Sequence, residues 1–160
     1  MRQRARCALV TVALCVVSAP AVAATFVVDD VRDLADASLG DRVCGTVFGT
    51  CTLRAAIMEA NYYDLGAETA NEVRLPPGVY RLTIPPVSRG FPKADDGDLY
   101  FGHSRSLDLF GEDAATTIIE QTVADRVIEV GGGARVTIRG VTLTGGRAVA
   151  GAGLSNQGVL

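Results

Sequence analysis

The sequence has few of the residues from which common catalytic and metal sites are built. Its 160 residues include no tryptophan, four cysteines and a single histidine, His103. Because His103 stands alone among Gly102, Ser104 and Arg105, we interpret it as a turn residue and not as a general base. No apolar run reaches the ~20 residues of a membrane-crossing helix, so we expect no membrane span in the mature segment.

The N-terminus has the pattern of an export signal. Residues 1–6 hold three arginines, residues 7–17 are apolar apart from Thr11, and the small-residue sequence Ala-Val-Ala precedes Ala24. This three-part layout is typical of secretory signal peptides. We therefore predict a signal peptide over residues 1–23 that is removed by cleavage before Ala24.

Two other interpretations of the N-terminus fit the sequence less well than an export signal. A buried N-terminal helix would need a surface built to receive it, and nothing downstream has that pattern. A lipoprotein signal would use Cys15, but Leu14 stands before it where a small residue is needed. Export places the mature chain in an oxidising compartment, secreted or at the bacterial cell surface.

Positive charge is scarce once the leader is set aside. Removing Arg2, Arg4 and Arg6 from the 15 basic residues leaves 12 against 18 acidic residues, so the net charge from Ala24 onward is −6. Nucleic-acid binding needs a basic surface, so we expect no nucleic-acid partner. Nine of the 18 glycines lie in the last 30 residues, which is incompatible with a helical bundle.

The mature chain keeps two cysteines, Cys44 and Cys51. Six residues separate them, and Gly45 and Gly49 allow the segment to turn back on itself. We predict a disulfide, which would stabilise the fold by ~2–3 kcal/mol in the chain-entropy model. A zinc site is the alternative, but it would need a neighbouring His or a second Cys pair.

A short helix follows the second cysteine. Apolar residues recur at positions i, i+3, i+4 and i+7 from Leu53, which predicts one apolar stripe on a helix. Either Thr50 or Thr52 can cap its start, and Asn61 is a plausible stop. Because the helix is too short to be stable alone, its stripe must dock on another part of the fold.

The segment Cys-Thr-Leu-Arg-Ala-Ala-Ile from Cys51 to Ile57, followed by Glu-Ala-Asn ending at Asn61, resembles the signature of the CSLREA domain. This domain is an N-terminal module of exported bacterial proteins. Thr52 replaces a serine and keeps a hydroxyl, whereas Ala55 replaces a glutamate. Further similarity follows at 75–80, 97–99, 115–119 and 141–146.

The resemblance covers nearly all of the mature chain, and it implies a mostly β protein. The implied fold is the start of a right-handed parallel β-helix of the pectin-lyase-like shape, with a short N-terminal capping helix. It implies no catalytic mechanism, because the module has no established active site to carry over. The motif residues are Thr52, Leu53, Arg54, Ile57 and Asn61, and Arg54 is expected to hold the cap to the first coil; an anion site at Arg54 is the alternative.

The second half of the chain favours the same architecture independently. Residues 107–111 recur 29 residues later as 136–140, and repeats of this length built from short strands and glycine turns are typical of solenoids. A β-sandwich is the structural alternative, but it favours two-residue hairpin turns of the Asn-Gly type, which are lacking. The predicted strands are Thr25–Val28, Glu72–Leu75, Tyr80–Ile84, Ser106–Leu109, Thr116–Glu120, Arg126–Val130, Arg135–Ile138 and Val141–Thr144.

No residue is assigned a catalytic, cofactor-binding or metal-binding role. Asp95, Asp96 and Asp98 could form a calcium loop, but their spacing matches no recognised one, so we expect a solvated excursion between coils. Asp125 beside Arg126 is interpreted as a surface pair. Three consecutive glycines at 131–133 are interpreted as a turn and not as a phosphate cradle, because no Lys-Ser or Lys-Thr follows.

The expected organisation is a signal peptide (1–23), an N-terminal cap (24–72) and β-helix coils (73–160) that continue beyond Leu160. The leading hypothesis is an exported or cell-surface module without enzymatic activity, which uses no cofactor and contacts glycans or other cell-surface material. The alternative is a polysaccharide lyase or hydrolase of pectin-lyase-like shape, with an active site beyond residue 160.

Overall fold

The computed structural model describes residues 23–62, 70–87, 94–102 and 106–160. These residues form mainly short strands, together with one helix and one disulfide. No helix within the described ranges is long and apolar enough to cross a bilayer. The elements are β1 (Thr25–Val27), α1 (Leu53–Tyr62), β2 (Asn71–Leu75), β3 (Gly78–Leu82), β4 (Leu99–Phe101), β5 (Ser106–Gly111), β6 (Thr117–Gln121), β7 (Ile128–Val130), β8 (Arg135–Arg139), β9 (Thr142–Thr144) and β10 (Leu154–Asn156).

All the strands pair in parallel, in three sheets. Sheet 1 has the order β1-β2-β5-β8, sheet 2 has the order β3-β6-β9, and sheet 3 has the order β4-β7-β10. From β2 onward the chain visits sheet 1, sheet 2 and sheet 3 in turn, and it does so three times. Parallel neighbours need a long return connection, and here the return passes through the other two sheets. The expectation of a mostly β fold with parallel strands is confirmed.

The spacing of the sequence repeat matches the pairing register. In sheet 1, Leu107 pairs with Val136 and Leu109 pairs with Ile138, so β5 and β8 are offset by the 29 residues that the sequence predicts. Because side chains alternate across a strand, this register places the apolar residues of both strands on the same face. A slip of one residue would expose them.

The predicted strands lie within about two residues of the observed ones, but two strands were missed. In β4 all three residues are buried, so its Leu-Tyr-Phe sequence lacks the alternation that identifies a half-buried strand. In β10 a single leucine precedes Ser155 and Asn156. After β10, an isolated parallel bridge joins Val159 to Arg135 of β8.

The inward side chains form a single apolar cluster shared by the three sheets. In sheet 1, Phe26, Val73, Leu109 and Ile138 follow one another in register across four strands. Burying a side chain of this size contributes ~1.5–3 kcal/mol. Each strand is only three to six residues long, so the fold depends on these stacked contacts and not on any single strand.

Helix α1 packs against β2 and β4, both from the first set of three strands. The sequence predicted one apolar stripe, but every residue from Leu53 to Ala60 is buried. The side opposite the stripe is covered as well, because polar side chains at Arg54 and Glu59 find partners in the surrounding loops. The prediction of an amphipathic helix was therefore too simple.

Two glycines face each other where sheet 1 turns into sheet 2. Gly140 has a φ of 65°, and a Cβ there would lie 2.2 Å from the carbonyl oxygen of Gly111. A Cβ at Gly111 would lie 2.1 Å from the carbonyl oxygen of Gly140. The two backbones can approach this closely only because neither residue has a side chain.

Replacing Gly140 with alanine is expected to lower the free energy of unfolding by at least ~2 kcal/mol, from the left-handed backbone and the contact with Gly111. Gly153→Ala is the matched control, because a Cβ there meets no heavy atom within 4 Å and its φ is not positive. Chemical denaturation of both variants measures the effect. Equal stabilities would contradict the close approach of the two turns.

Candidate functional site

The predicted disulfide is confirmed. Cys44 and Cys51 are bonded at an S–S distance of 2.03 Å, with their Cα atoms 5.1 Å apart. The loop between them folds as a tight turn, in which the amide of Gly49 donates to the carbonyl of Thr46 at 2.8 Å. The disulfide therefore closes a compact loop directly before α1 and fixes where the helix begins.

Thr52 is the residue that caps the helix, which decides between the two threonines that the sequence left open. The amide of Ala55 donates to Thr52 Oγ1 at 3.1 Å, and this oxygen in turn donates to the carbonyl of Leu34 at 2.5 Å. Thr50 instead donates its hydroxyl to Asp30. Thr52 thus satisfies an orphan amide of the helix and ties the first turn to the preceding loop.

Arg54 lies in the first turn of α1, with its side chain fully buried against Asp33. Its Nε donates to Asp33 Oδ1 at 2.5 Å, and its Nη2 donates to Asp33 Oδ2 at 3.2 Å. The remaining donors reach the carbonyls of Ala94 at 2.8 Å and Gly97 at 2.9 Å. The guanidinium thereby joins the helix to two other segments of the chain.

Asp33 extends this network to a fourth segment. Its Oδ2 also accepts from the backbone amides of Thr83 at 2.6 Å and Ile84 at 2.9 Å. The Asp33 carboxylate occupies the place where a soluble anion would pair with Arg54. The Nε, Nη1 and Nη2 atoms of Arg54 therefore all have protein partners.

The other motif residues also contact distant segments. Leu53 and Ile57 are buried in the core. Asn61 does not stop the helix, which continues to Tyr62. Its Nδ2 donates to the carbonyl of Tyr100 at 2.7 Å, and its Oδ1 accepts from the amide of Gly102 at 2.9 Å. The side chain of Asn61 thus pairs with the backbone at the end of β4 in the way that a neighbouring strand would.

Two positioning residues were missed by the sequence analysis. Glu59 is fully buried, and it accepts the amide of Gly40 at 2.8 Å and the amide of Arg42 at 2.5 Å. Asn71 donates to the carbonyl of Ala60 at 3.0 Å. Glu59 is a charged residue among the mostly apolar residues of the helix, and this pattern could have identified it. Nothing local distinguishes Asn71.

Arg54→Lys is expected to lower the free energy of unfolding by ~3 kcal/mol or more, because a lysine cannot supply the planar set of donors that Asp33 and the two carbonyls need. Arg81→Lys is the control, since Arg81 forms an exposed ion pair with Glu120 at 2.9 Å. The control should cost less than ~0.5 kcal/mol. Similar losses in both variants, measured by denaturant titration, would refute the role of Arg54.

The acidic segment at 95–98 is not the solvated excursion that the sequence predicted. Asp98 is 8% exposed, and Arg126 Nε lies 3.2 Å from its Oδ2, close enough for an ion pair although not aligned as a hydrogen bond. The amide of Asp98 donates to Asp125 at 3.0 Å, and Arg126 also contacts Glu129 at 2.9 Å. Asp125 and Arg126 therefore belong to a partly buried network and are not a simple surface pair.

The surroundings of Asp98 favour its neutral form. Burial raises the pKa of Asp98 to about 7, and the negative charges of Asp125 and Glu129 act in the same direction, against Arg126 and Arg54. No group of three or more His, Cys, Asp or Glu side chains is arranged to hold a metal ion in the described part of the chain. Because the pKa of Asp98 is about 7, the charge of this cluster changes near neutral pH.

The folded state binds a proton at Asp98 that the unfolded state releases near pH 4, so this group makes the protein less stable as the pH rises from ~4 to ~7. Asp98→Asn should abolish this pH-dependent loss of stability. Relative to the wild type, the variant should become more stable by at least ~1 kcal/mol between pH 5 and pH 8.

Thermal or denaturant unfolding of both proteins at several pH values measures the difference. Asp96→Asn is the control, because it removes a carboxylate of the same turn that is half-buried and, among the described residues, accepts a hydrogen bond only from the amide of Val87, at 3.2 Å. A constant difference between the wild type and Asp98→Asn across this pH range would show that Asp98 titrates normally.

A groove crosses the outer face of sheet 1 near the ends of β2 and β5. It encloses about 480 Å³ and is lined by side chains of both strands and of the turns that follow them. Along this face Arg74, Phe110 and Arg139 occupy one row in register. The guanidinium carbon of Arg139 lies 5.6 Å from the centroid of the Phe110 ring.

The other candidates named from the sequence are the three consecutive glycines, His103 and the predicted signal peptide. The glycines at 131–133 form the predicted turn, in which the amide of Ala134 donates to the carbonyl of Gly131 at 3.1 Å. His103 and the predicted signal peptide, apart from Ala23, lie outside the described residues. Comparison with protein-family models, curated proteins and solved structures finds no match to this chain.

Proposed function

We propose that this chain is an exported, non-enzymatic module of the CSLREA type that folds as a right-handed parallel β-helix and contacts glycans. The observation that carries the proposal is the rotation of the chain through three parallel sheets, repeated three times. A chain that winds in one direction can visit the three sheets in this order with short connections between successive strands. Crossover connections between parallel strands are right-handed in nearly all proteins.

The position of α1 supports a capping role. The helix packs on strands of the first set, and Asn61 binds the backbone at the end of β4. The first strands of a solenoid would otherwise leave their edges open to other chains. A buried helix that is tied to the first set by Arg54 and Asn61 is suited to closing that end.

Export is supported by the disulfide. The Cys44–Cys51 bond would be reduced in most bacterial cytoplasms, whereas it persists in the periplasm or outside the cell. Together with the leader pattern of residues 1–23, it favours secretion or display at the cell surface. The protein recovered from the culture medium or the cell surface is expected to begin at Ala24 and to have two hydrogens fewer than its reduced mass. Intact-mass spectrometry tests both points, and a retained leader with free thiols would contradict export.

A glycan-contacting role is supported by the outer faces of the sheets. A stack of parallel strands presents side chains at intervals of ~4.8 Å along its axis, so a long ligand can be contacted at successive strands. The row of Arg74, Phe110 and Arg139 on sheet 1 combines an aromatic ring with hydrogen-bond donors. Such combinations suit ligands that have both apolar and hydroxyl-bearing surfaces.

The alternative, a polysaccharide hydrolase or lyase, is favoured by one observation. A carboxyl group with a pKa of about 7, such as that of Asp98, could act as a general acid. Against this, Asp98 is buried and paired with Arg126. A general acid must reach the glycosidic oxygen of its substrate.

Incubation with a panel of bacterial and plant polysaccharides separates the two functions. We expect the purified mature protein to be retained on at least one immobilised glycan and to release neither reducing ends nor unsaturated products. Product release that Asp98→Asn abolishes would establish the enzyme instead. Absence of retention on every glycan would contradict the binding function.

A further inference from the structure

The groove on the outer face of sheet 1 combines apolar and charged side chains. Its exposed apolar surface comes from Val27 and Phe110, since Leu75 at its edge is only 2% exposed, and its polar groups come from Glu72, Arg74 and Glu112. Its volume of about 480 Å³ is within the usual range for small-ligand sites. No contact within the described residues fills it.

Phe110 forms a preorganised aromatic wall. In the register of sheet 1 it lies between Arg74 on β2 and Arg139 on β8. Arg139 covers the ring from β8, on the side away from the groove strand β2, with its guanidinium carbon 5.6 Å from the ring centroid, which is a favourable cation–π distance. The half-buried ring is therefore held in place while it lines the groove.

Gly111 has no side chain, so it borders the groove with backbone atoms only. A Cβ at Gly111 would lie 2.1 Å from the carbonyl oxygen of Gly140, so no larger residue fits this position. A ligand on the Phe110 ring can therefore approach the backbone at Gly111 without meeting a side chain there.

The polar groups define the charge of the ligand. Glu72 and Glu112 supply hydrogen-bond acceptors, and Arg74, which is ion-paired with Glu72, supplies donors. With Arg139 over the adjacent Phe110 ring, two carboxylates face two guanidinium groups, so the groove and the ring beside it offer no net positive charge to a phosphate, sulfate or uronate. Hydroxyl groups can both donate to the carboxylates and accept from the guanidinium, so an uncharged polyhydroxylated ligand fits this set.

From this combination we propose that the groove binds a neutral hexopyranose unit of a glycan, with the apolar face of the sugar on Phe110 and its hydroxyls on Glu72, Arg74 and Glu112. The proposal rests on the glycan-contacting function and specifies its site and its substrate class. The sugar ring supplies the C–H surface that an aromatic wall requires. Its adjacent hydroxyls match a carboxylate and a guanidinium that lie side by side.

The test uses calorimetric titration of the mature protein with three neutral oligosaccharides, cellohexaose, mannohexaose and chitohexaose, and with hexagalacturonate as the anionic comparison. We expect at least one neutral hexamer to bind more tightly than hexagalacturonate. Phe110→Ala should weaken that binding at least tenfold, and Phe110→Leu, which keeps an apolar side chain on the strand, should weaken it as well.

Phe48→Ala is the matched control, because Phe48 is an exposed ring with Arg32 over it at 4.8 Å, but it lies on the disulfide loop. It should leave the affinity unchanged. Perturbation of the Phe110, Gly111 and Glu112 amide resonances by the sugar tests the wild-type site without any substitution.

These experiments distinguish refutation of the groove proposal from refutation of the glycan-contacting function. Tighter binding of hexagalacturonate, or neutral binding that is insensitive to both Phe110 variants, would overturn the groove proposal and leave the glycan-contacting function standing. Failure of all four oligosaccharides to bind would overturn the groove proposal. If immobilised polysaccharides also failed to retain the protein, the glycan-contacting function itself would be refuted.

Discussion

The buried ion pair between Arg54 and Asp33 holds together segments that are far apart in the sequence. It joins the helix, the loop before the disulfide, the backbone after β3 and the turn before β4. Taking two charges out of water is costly, and the cost is offset only when their hydrogen-bonding groups are satisfied. Here both carboxylate oxygens and at least three guanidinium donors have partners, so the pair specifies one arrangement of these four segments.

This arrangement determines what the strands can present to other molecules. With α1 seated on β2 and β4, the first set of strands has a fixed position, and the later sets follow it in register. The core takes up the inward side chains, and the outward rows lie at the surface of the sheets. The groove beside Phe110 is a product of this order, because its walls come from β2 and β5 and its aromatic ring is braced from β8.

Features encoded within a short segment were predictable from the sequence. The helix, the disulfide and most strands come from local spacing, and the 29-residue repeat gives the register of β5 and β8. The site features are different, because their partners are distant: Asp33 is 21 residues before Arg54 and 50 residues before Thr83. Asp98 looked solvated because the arginine beside it in space follows much later in the chain. Likewise, the row that contains Phe110 becomes visible only when the offsets of two different strand pairs are known.

A double-mutant cycle on Asp33 and Arg54 tests the central claim directly. Asp33→Asn, Arg54→Met and the double variant would be compared with the wild type by the free energy of unfolding at neutral pH and moderate salt. The account predicts a coupling energy of ~2 kcal/mol or more, with the double variant recovering much of the loss caused by either single change, because no buried charge is then left unpaired. Additive effects to within ~0.5 kcal/mol would contradict it, since they would mean that the two side chains act independently.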